Sequence, residues 1–297
     1  MSKTPTSTSI NKALLVAVIV LAVALVAVLV YFLILKPPET PGKQTQALTP
    51  ALAFERSVEN WLGIECVYGR YGGNATLDLI NNIYAIAYRY VFIEYTRSGN
   101  VTYLLEYPVA QYKYLVSKYP KCALNGADQY LANVVVNALN NVSNAAVKLG
   151  IPNNLLGTPL FIVFNRANNV TYVLVGASPL VFSAINYAET GNTTVFTYQG
   201  QVLGYGFRAN STQVGVINSI VSSGLRIGNP GASIVVIEYL DPECPYCALF
   251  QVQYRDALEY LVNNGSVLYV IQYFPTHAIV YGCSSSKIAS LLGPYCG

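Results

Sequence analysis

The sequence predicts an α/β fold behind one N-terminal membrane-spanning helix. Three observations carry this. Ala13 to Leu35 is a 23-residue apolar run without a charge; at 1.5 Å per residue it spans about 35 Å, enough for a hydrocarbon core of about 30 Å. The remaining chain alternates stretches of helical period with β-branched and aromatic runs. The stretch "EYLDPECPYCALF", Glu238 to Phe250, sets two cysteines two residues apart where such a run ends.

Residues 1–12 read as a cytoplasmic tail, 13–35 as the transmembrane helix and 36–50 as a Pro-rich polar linker. The apolar run outlasts the core of a signal peptide and closes on bulky Tyr31, Phe32, Leu33 and Ile34, so it predicts an uncleaved anchor. Lys3 and Lys12 on one side balance Lys36 and Lys43 on the other, and charge leaves the orientation open. The body holds all six cysteines and seven N-x-S/T sequons, at Asn74, Asn100, Asn141, Asn169, Asn192, Asn210 and Asn264. Both features suit an extracytoplasmic, glycosylated body. The net charge is +3 with only 10% charged residues and no basic patch, which argues against a nucleic-acid partner.

Within the body, Ala51 to Trp61 has helical spacing and Gly63 to Tyr68 reads as a short strand. Asn74 to Tyr95 reads as a helix with Leu77, Ile80, Ile83, Tyr84 and Ala87 on one face, and Asn100 to Val109 as a strand ending at Pro108. Gln129 to Leu149 is a helix with an apolar stripe. "TPLFIVF" and "VTYVLVGA" predict two adjacent strands, and "PLVFSAINYAE" a helix. From Thr193 the sequence predicts a hairpin with a Gln-Gly turn, then a helix capped by Asn210 or Ser211 and stopped by Gly224. A buried strand from Ile234, a helix after Cys244 and a strand at Ser266 to Phe274 follow, with parallel pairing implied by the long crossovers. Tyr90 to Val109 and Ala257 to Pro275 resemble each other as a weak internal repeat.

A C-x-x-C at a strand-to-helix junction lets the sulfurs bond within one turn, while the helix N-terminus stabilises a thiolate on the first. Cys244 is therefore the candidate nucleophile and Cys247 the resolving thiol. Pro245 suits the first helical turn. Glu238 shares a strand face with Ile234 and Val236. A carboxyl there is either a proton relay for Cys247 or a glutamate at the strand's wet end.

"GNPGASIVVIEYLDPECPYCALF" with the following "YVIQYFPTH" resembles DsbA-type thiol–disulfide oxidoreductases of the thioredoxin superfamily. The likeness lies in Asn229 to Ala232, Glu238, Cys244 to Cys247 and Phe274–Pro275, about 70 residues in all. It implies a thioredoxin-like fold, redox catalysis by Cys244 and Cys247, and no cofactor beyond their own disulfide. "LLGTPLFIVF" resembles that family's cis-Pro loop, at Thr158 and Pro159. Here the pattern departs: Pro159 lies 85 residues before Cys244 and not after it. Two architectures accommodate this. In the first, 51–192 is a redox-inactive thioredoxin-like domain with its own cis-Pro, and 193–297 a second such domain, cut short. In the other, a single domain is circularly permuted and Pro159 faces Cys244. The internal repeat favours the tandem arrangement.

Cys66, Cys122, Cys283 and Cys296 suit structural disulfides, Cys66–Cys122 and Cys283–Cys296 being the expected pairs. A zinc site from Cys244, Cys247, Cys283 and Cys296 is the alternative, disfavoured because the second pair lacks ligand spacing. His277, the single histidine, reads as structural. The expected activity is disulfide exchange in exported proteins by a membrane-tethered enzyme, with a membrane redox partner conceivable. A non-catalytic binding or chaperone-like module with structural disulfides is the rival.

Overall fold

A computed structural model describes residues 47–297. The tail, the membrane-spanning run and nearly all of the linker lie outside the described residues. No helix among the described residues is long and apolar enough to cross a membrane.

The body opens with helices. α1 (Pro50–Tyr71) is capped by the Thr49 hydroxyl, which accepts from Leu52 N at 3.1 Å, with Pro50 at its first position. α2 (Gly73–Ala87) runs without a break into a π-helical stretch, Tyr88–Tyr95. α3 (Thr102–Lys118) and α4 (Asp128–Leu149) follow. Then come β1 (Leu160–Asn165), β2 (Val170–Val175), α5 (Leu180–Thr190) and the hairpin β3 (Val195–Tyr198)–β4 (Gln201–Arg208). The hairpin turns on Gln199 and Gly200, both at positive φ, as the Gln-Gly dipeptide predicts. α6 (Ser211–Ser223) starts with a complete capping box from Asn210 and Gln213. β5 (Leu225–Gly228), β6 (Ile234–Leu240), α7 (Pro245–Asn263), β7 (Val267–Tyr273), α8 (Thr276–Cys283) and α9 (Ser286–Leu292) complete the described chain.

The strands form one seven-stranded sheet in the order β3-β4-β2-β1-β6-β7-β5. β6 and β7 are parallel, while β1 pairs antiparallel with both β2 and β6. Its central strands are buried on both faces. Along β6, Ile234, Val236 and Leu240 face a core shared with α1, α2, α3, α5, α7 and α8, while Val235, Ile237 and Tyr239 face a second core under α6 and the end of α4. That period-2 split follows from the pleat.

The tandem arrangement does not hold. Residues 51–192 are not a thioredoxin-like domain of their own, because their two strands are inner strands of the sheet that carries Cys244. One sheet takes strands from both halves, and the strand after Pro159 and its antiparallel partner precede the C-x-x-C strand in the chain. The two strands expected before Pro159 are helical. Gly63 to Tyr68 continues α1, since Trp61, Ile64 and Val67 extend the buried stripe of Phe54 and Val58. Asn100 to Val109 is mostly α3, with Pro108 inside the helix and Tyr107, Pro108, Gln111 and Leu115 on its buried face. The internal repeat therefore pairs a helix with a strand and has no structural counterpart.

Cys66–Cys122 and Cys283–Cys296 are disulfides, as expected. The first ties α1 to the turn after α3, and the second ties α8 to the chain end.

Candidate active site

β6 delivers its C-terminal end to the sequence Asp241-Pro242-Glu243-Cys244, and α7 begins at once. Cys244 is the N-cap of α7, with extended backbone and a sulfur that accepts from Cys247 N at 3.4 Å. Pro245, with no N–H to leave unpaired, fills the first helical position. Cys244 and Cys247 are free thiols, the first 3% exposed and the second fully buried one turn deeper.

The pairing of Leu160 with Tyr239 brings the start of β1 to the same end of the sheet. The Thr158–Pro159 peptide is cis, and the Cys244 thiol donates to Thr158 O at 3.3 Å. The loop expected far from Cys244 in the tandem arrangement thus lies against it, across 86 positions of sequence.

The two sulfurs are electrostatically unlike. The Cys244 thiol is lowered to about 7 by hydrogen bonding with Cys247, against the cost of burial, with the His277 cation and the Thr158 side chain adding to the effect. Cys247 is held well above the ordinary thiol range by burial first, then by Cys244. Such a pair offers one thiolate near neutral pH with a protonated thiol behind it.

Glu238 is fully buried on the face beneath α7, which excludes the wet-end placement. Burial raises its carboxyl to about 8, opposed by a hydrogen bond from Tyr269 and reinforced by Cys244. The Tyr269 hydroxyl donates to Oε2 and Gln251 Nε2 approaches it at 3.5 Å, while Oε1 has no protein partner. The buried Tyr84 hydroxyl is also unpaired, and feels both Cys247 and Glu238. A protonated carboxyl at this depth can pass a proton to or from the inner thiol.

A second polar group around the motif was not legible in the sequence. Glu243 is fully buried and accepts from Ser57 Oγ at 3.0 Å and Asn60 Nδ2 at 3.1 Å. Asn60 also donates to Gln111, which in turn donates to Pro242 O at 3.0 Å. Burial and the neighbouring Asp241 charge push the Glu243 carboxyl well up, so it stays protonated. Asp241 Oδ2 accepts from Thr276 Oγ1 at 2.8 Å and His277 N at 2.7 Å, with His277 Nδ1 at 3.0 Å. Burial would raise Asp241, but the His277 cation and these hydrogen bonds outweigh it and hold the group below its usual range. The sequence shows only two acids in "LDPEC", a pattern equally suited to a solvated turn. Their partners stand as far as 186 positions away, which no local pattern reports.

Cys283 and Cys296 are bonded to each other, so the four-cysteine zinc arrangement does not form.

A family model described as Thioredoxin matches residues 221–293. The match runs from the end of α6 through α9 and contains the C-x-x-C but not the Pro159 loop. Residues 221–293 are thus thioredoxin-like in sequence. No curated protein and no solved structure matches the chain.

Proposed function

We propose that the protein is a DsbA-type thiol–disulfide oxidoreductase, held at the outer side of a membrane by residues 13–35 and acting on exported proteins. The observation that carries this reading is the placement of Cys244. Its sulfur caps a helix N-terminus, lies 3.3 Å from the Thr158 carbonyl of the cis-Pro loop and covers the buried Cys247. In the oxidising direction, a client thiolate attacks Cys244 Sγ in the Cys244–Cys247 disulfide. That bond breaks, a client–Cys244 disulfide forms, and the Cys247 thiolate takes a proton with Glu238 as a candidate source. A second client thiolate then attacks the client sulfur and expels Cys244 as thiolate. Two electrons have passed from client to motif, and the reverse sequence reduces a client disulfide. The thiol–disulfide chemistry needs no cofactor. A membrane redox partner would reset the motif. The exposed sequon asparagines are candidate glycosylation sites of such an exported body.

Trapping tests the reading. Cys247→Ser should accumulate mixed disulfides with client proteins through Cys244, and Cys244→Ser should accumulate none. If unmodified protein neither reduces nor oxidises a model disulfide such as that of insulin, and neither variant traps, the non-catalytic binding module takes its place.

A further inference from the structure

We propose that His277, clamped by the buried Asp241 carboxylate, is the positioning residue for Cys244: as an imidazolium it holds the sulfur as a thiolate. This rests on the reading of Cys244 as the attacking sulfur.

Three chain segments build the arrangement. Asp241 ends β6, and its main-chain oxygen accepts from Cys244 N at 3.0 Å. Its carboxylate receives the His277 main-chain N–H at 2.7 Å and faces the imidazole Nδ1 at 3.0 Å. Thr276 bridges onward: its hydroxyl donates to Asp241 at 2.8 Å and lies 3.4 Å from the Thr158 hydroxyl, in the loop whose carbonyl meets the Cys244 sulfur. The carboxylate's other oxygen accepts from Glu243 N at 3.0 Å, so one carboxylate holds both the ring of His277 and the turn from which α7 starts. Nδ1 is committed to Asp241, which leaves Nε2 as the free end of the ring.

The surrounding groups keep the imidazole charged. Tyr107 from α3 and Tyr281 from α8 face the ring edge-on and tilted, each with its centroid 6.4 Å away. Both are held uncharged, burial being the first cause. From the β6–α7 turn come Asp241, ionised, and Glu243, protonated. Burial alone would discharge His277, but the Asp241 charge and hydrogen bond overcome it and raise the ring above its ordinary range, with Cys244 adding to the rise. At Cys244 the pull of the imidazolium exceeds the push of the Asp241 carboxylate.

Because coupling between two titrating groups is reciprocal, the test reads it from both sides. His277 is the single histidine of the sequence, so in full-length protein made without a histidine tag its ring protons give one NMR titration. In reduced protein its midpoint should lie about half a pH unit or more above that in protein alkylated at Cys244. In His277→Gln the alkylation of Cys244 by iodoacetamide at pH 6, with the site confirmed by mass spectrometry, should slow about tenfold as its midpoint moves up. Identical His277 titrations in the two forms would overturn the proposal, and this reading uses the unmutated side chain, so it holds even if the variant does not fold. An unchanged alkylation midpoint in a folded His277→Gln protein would overturn it as well. Coupled titrations in a protein that exchanges no disulfide would end the functional reading alone.

Discussion

Glu238 ionises in the folded protein only at about 8, because burial opposes the charge, whereas its ordinary value is 4.5. Between those two values the folded state keeps a proton that the unfolded state has released. Its protonation therefore contributes stability that is complete below pH 4.5 and is lost as the pH rises toward 8. The gap corresponds to an upper bound on the order of 4–5 kcal/mol. Urea midpoints at pH 5 and pH 9 should fall much further for the unmodified protein than for Glu238→Gln, which keeps the Tyr269 partner and cannot ionise. Equal losses in the two would show that Glu238 does not titrate across this window. This residue was only partly legible in the sequence, because an acid among β-branched neighbours at even spacing fits both a buried face and a strand's wet end. Asp241 and Glu243 were not: nothing beside them in the chain distinguishes a buried pair from a solvated turn.

At the scale of elements, legibility followed the range of the interactions. Helices with a wide apolar stripe, such as α4, and strands buried on both faces, such as β6, declare themselves within one window. α3 does not: Thr102, Tyr103, Tyr107 and Val109 are β-branched or aromatic and its proline imitates a strand end, yet its buried face meets α1 and the Pro242 carbonyl. Tertiary packing overrides local propensity there. Trp61 makes the same point for α1 by stacking on Tyr273 of β7 at 4.8 Å between ring centroids. The Cys66–Cys122 disulfide fixes this helical layer across 56 positions of sequence, against 13 for Cys283–Cys296. Closing the longer loop removes more denatured-state entropy, about 4 against about 3 kcal/mol in the chain-entropy account. The Cys66→Ala/Cys122→Ala protein should therefore lose more stability than Cys283→Ala/Cys296→Ala, read as the shift in urea midpoint at constant slope. The opposite order would place the disulfides' weight in the folded state.

The order of segments along the chain is the property of the whole molecule that hid most completely. Strand pairing is set by which apolar faces meet, and not by which strand comes first, so one sheet built from both halves shows the same local patterns as two tandem ones. What distinguishes them is β1. All six of its residues are buried, and it is hydrogen-bonded to β2 on one side and β6 on the other. Splitting the protein between residues 192 and 193 would leave β1 with one edge bare and its two apolar faces half covered. The same cut would strip β6, and with it Cys244, of the Thr158 contact. Neither fragment, 1–192 nor 193–297, should then melt cooperatively alone, while mixing them should restore a cooperative transition and the low-pH reactivity of Cys244. A cooperative melt from 1–192 by itself would mean that its helices and two strands make a self-sufficient core, and would return the molecule to a tandem architecture.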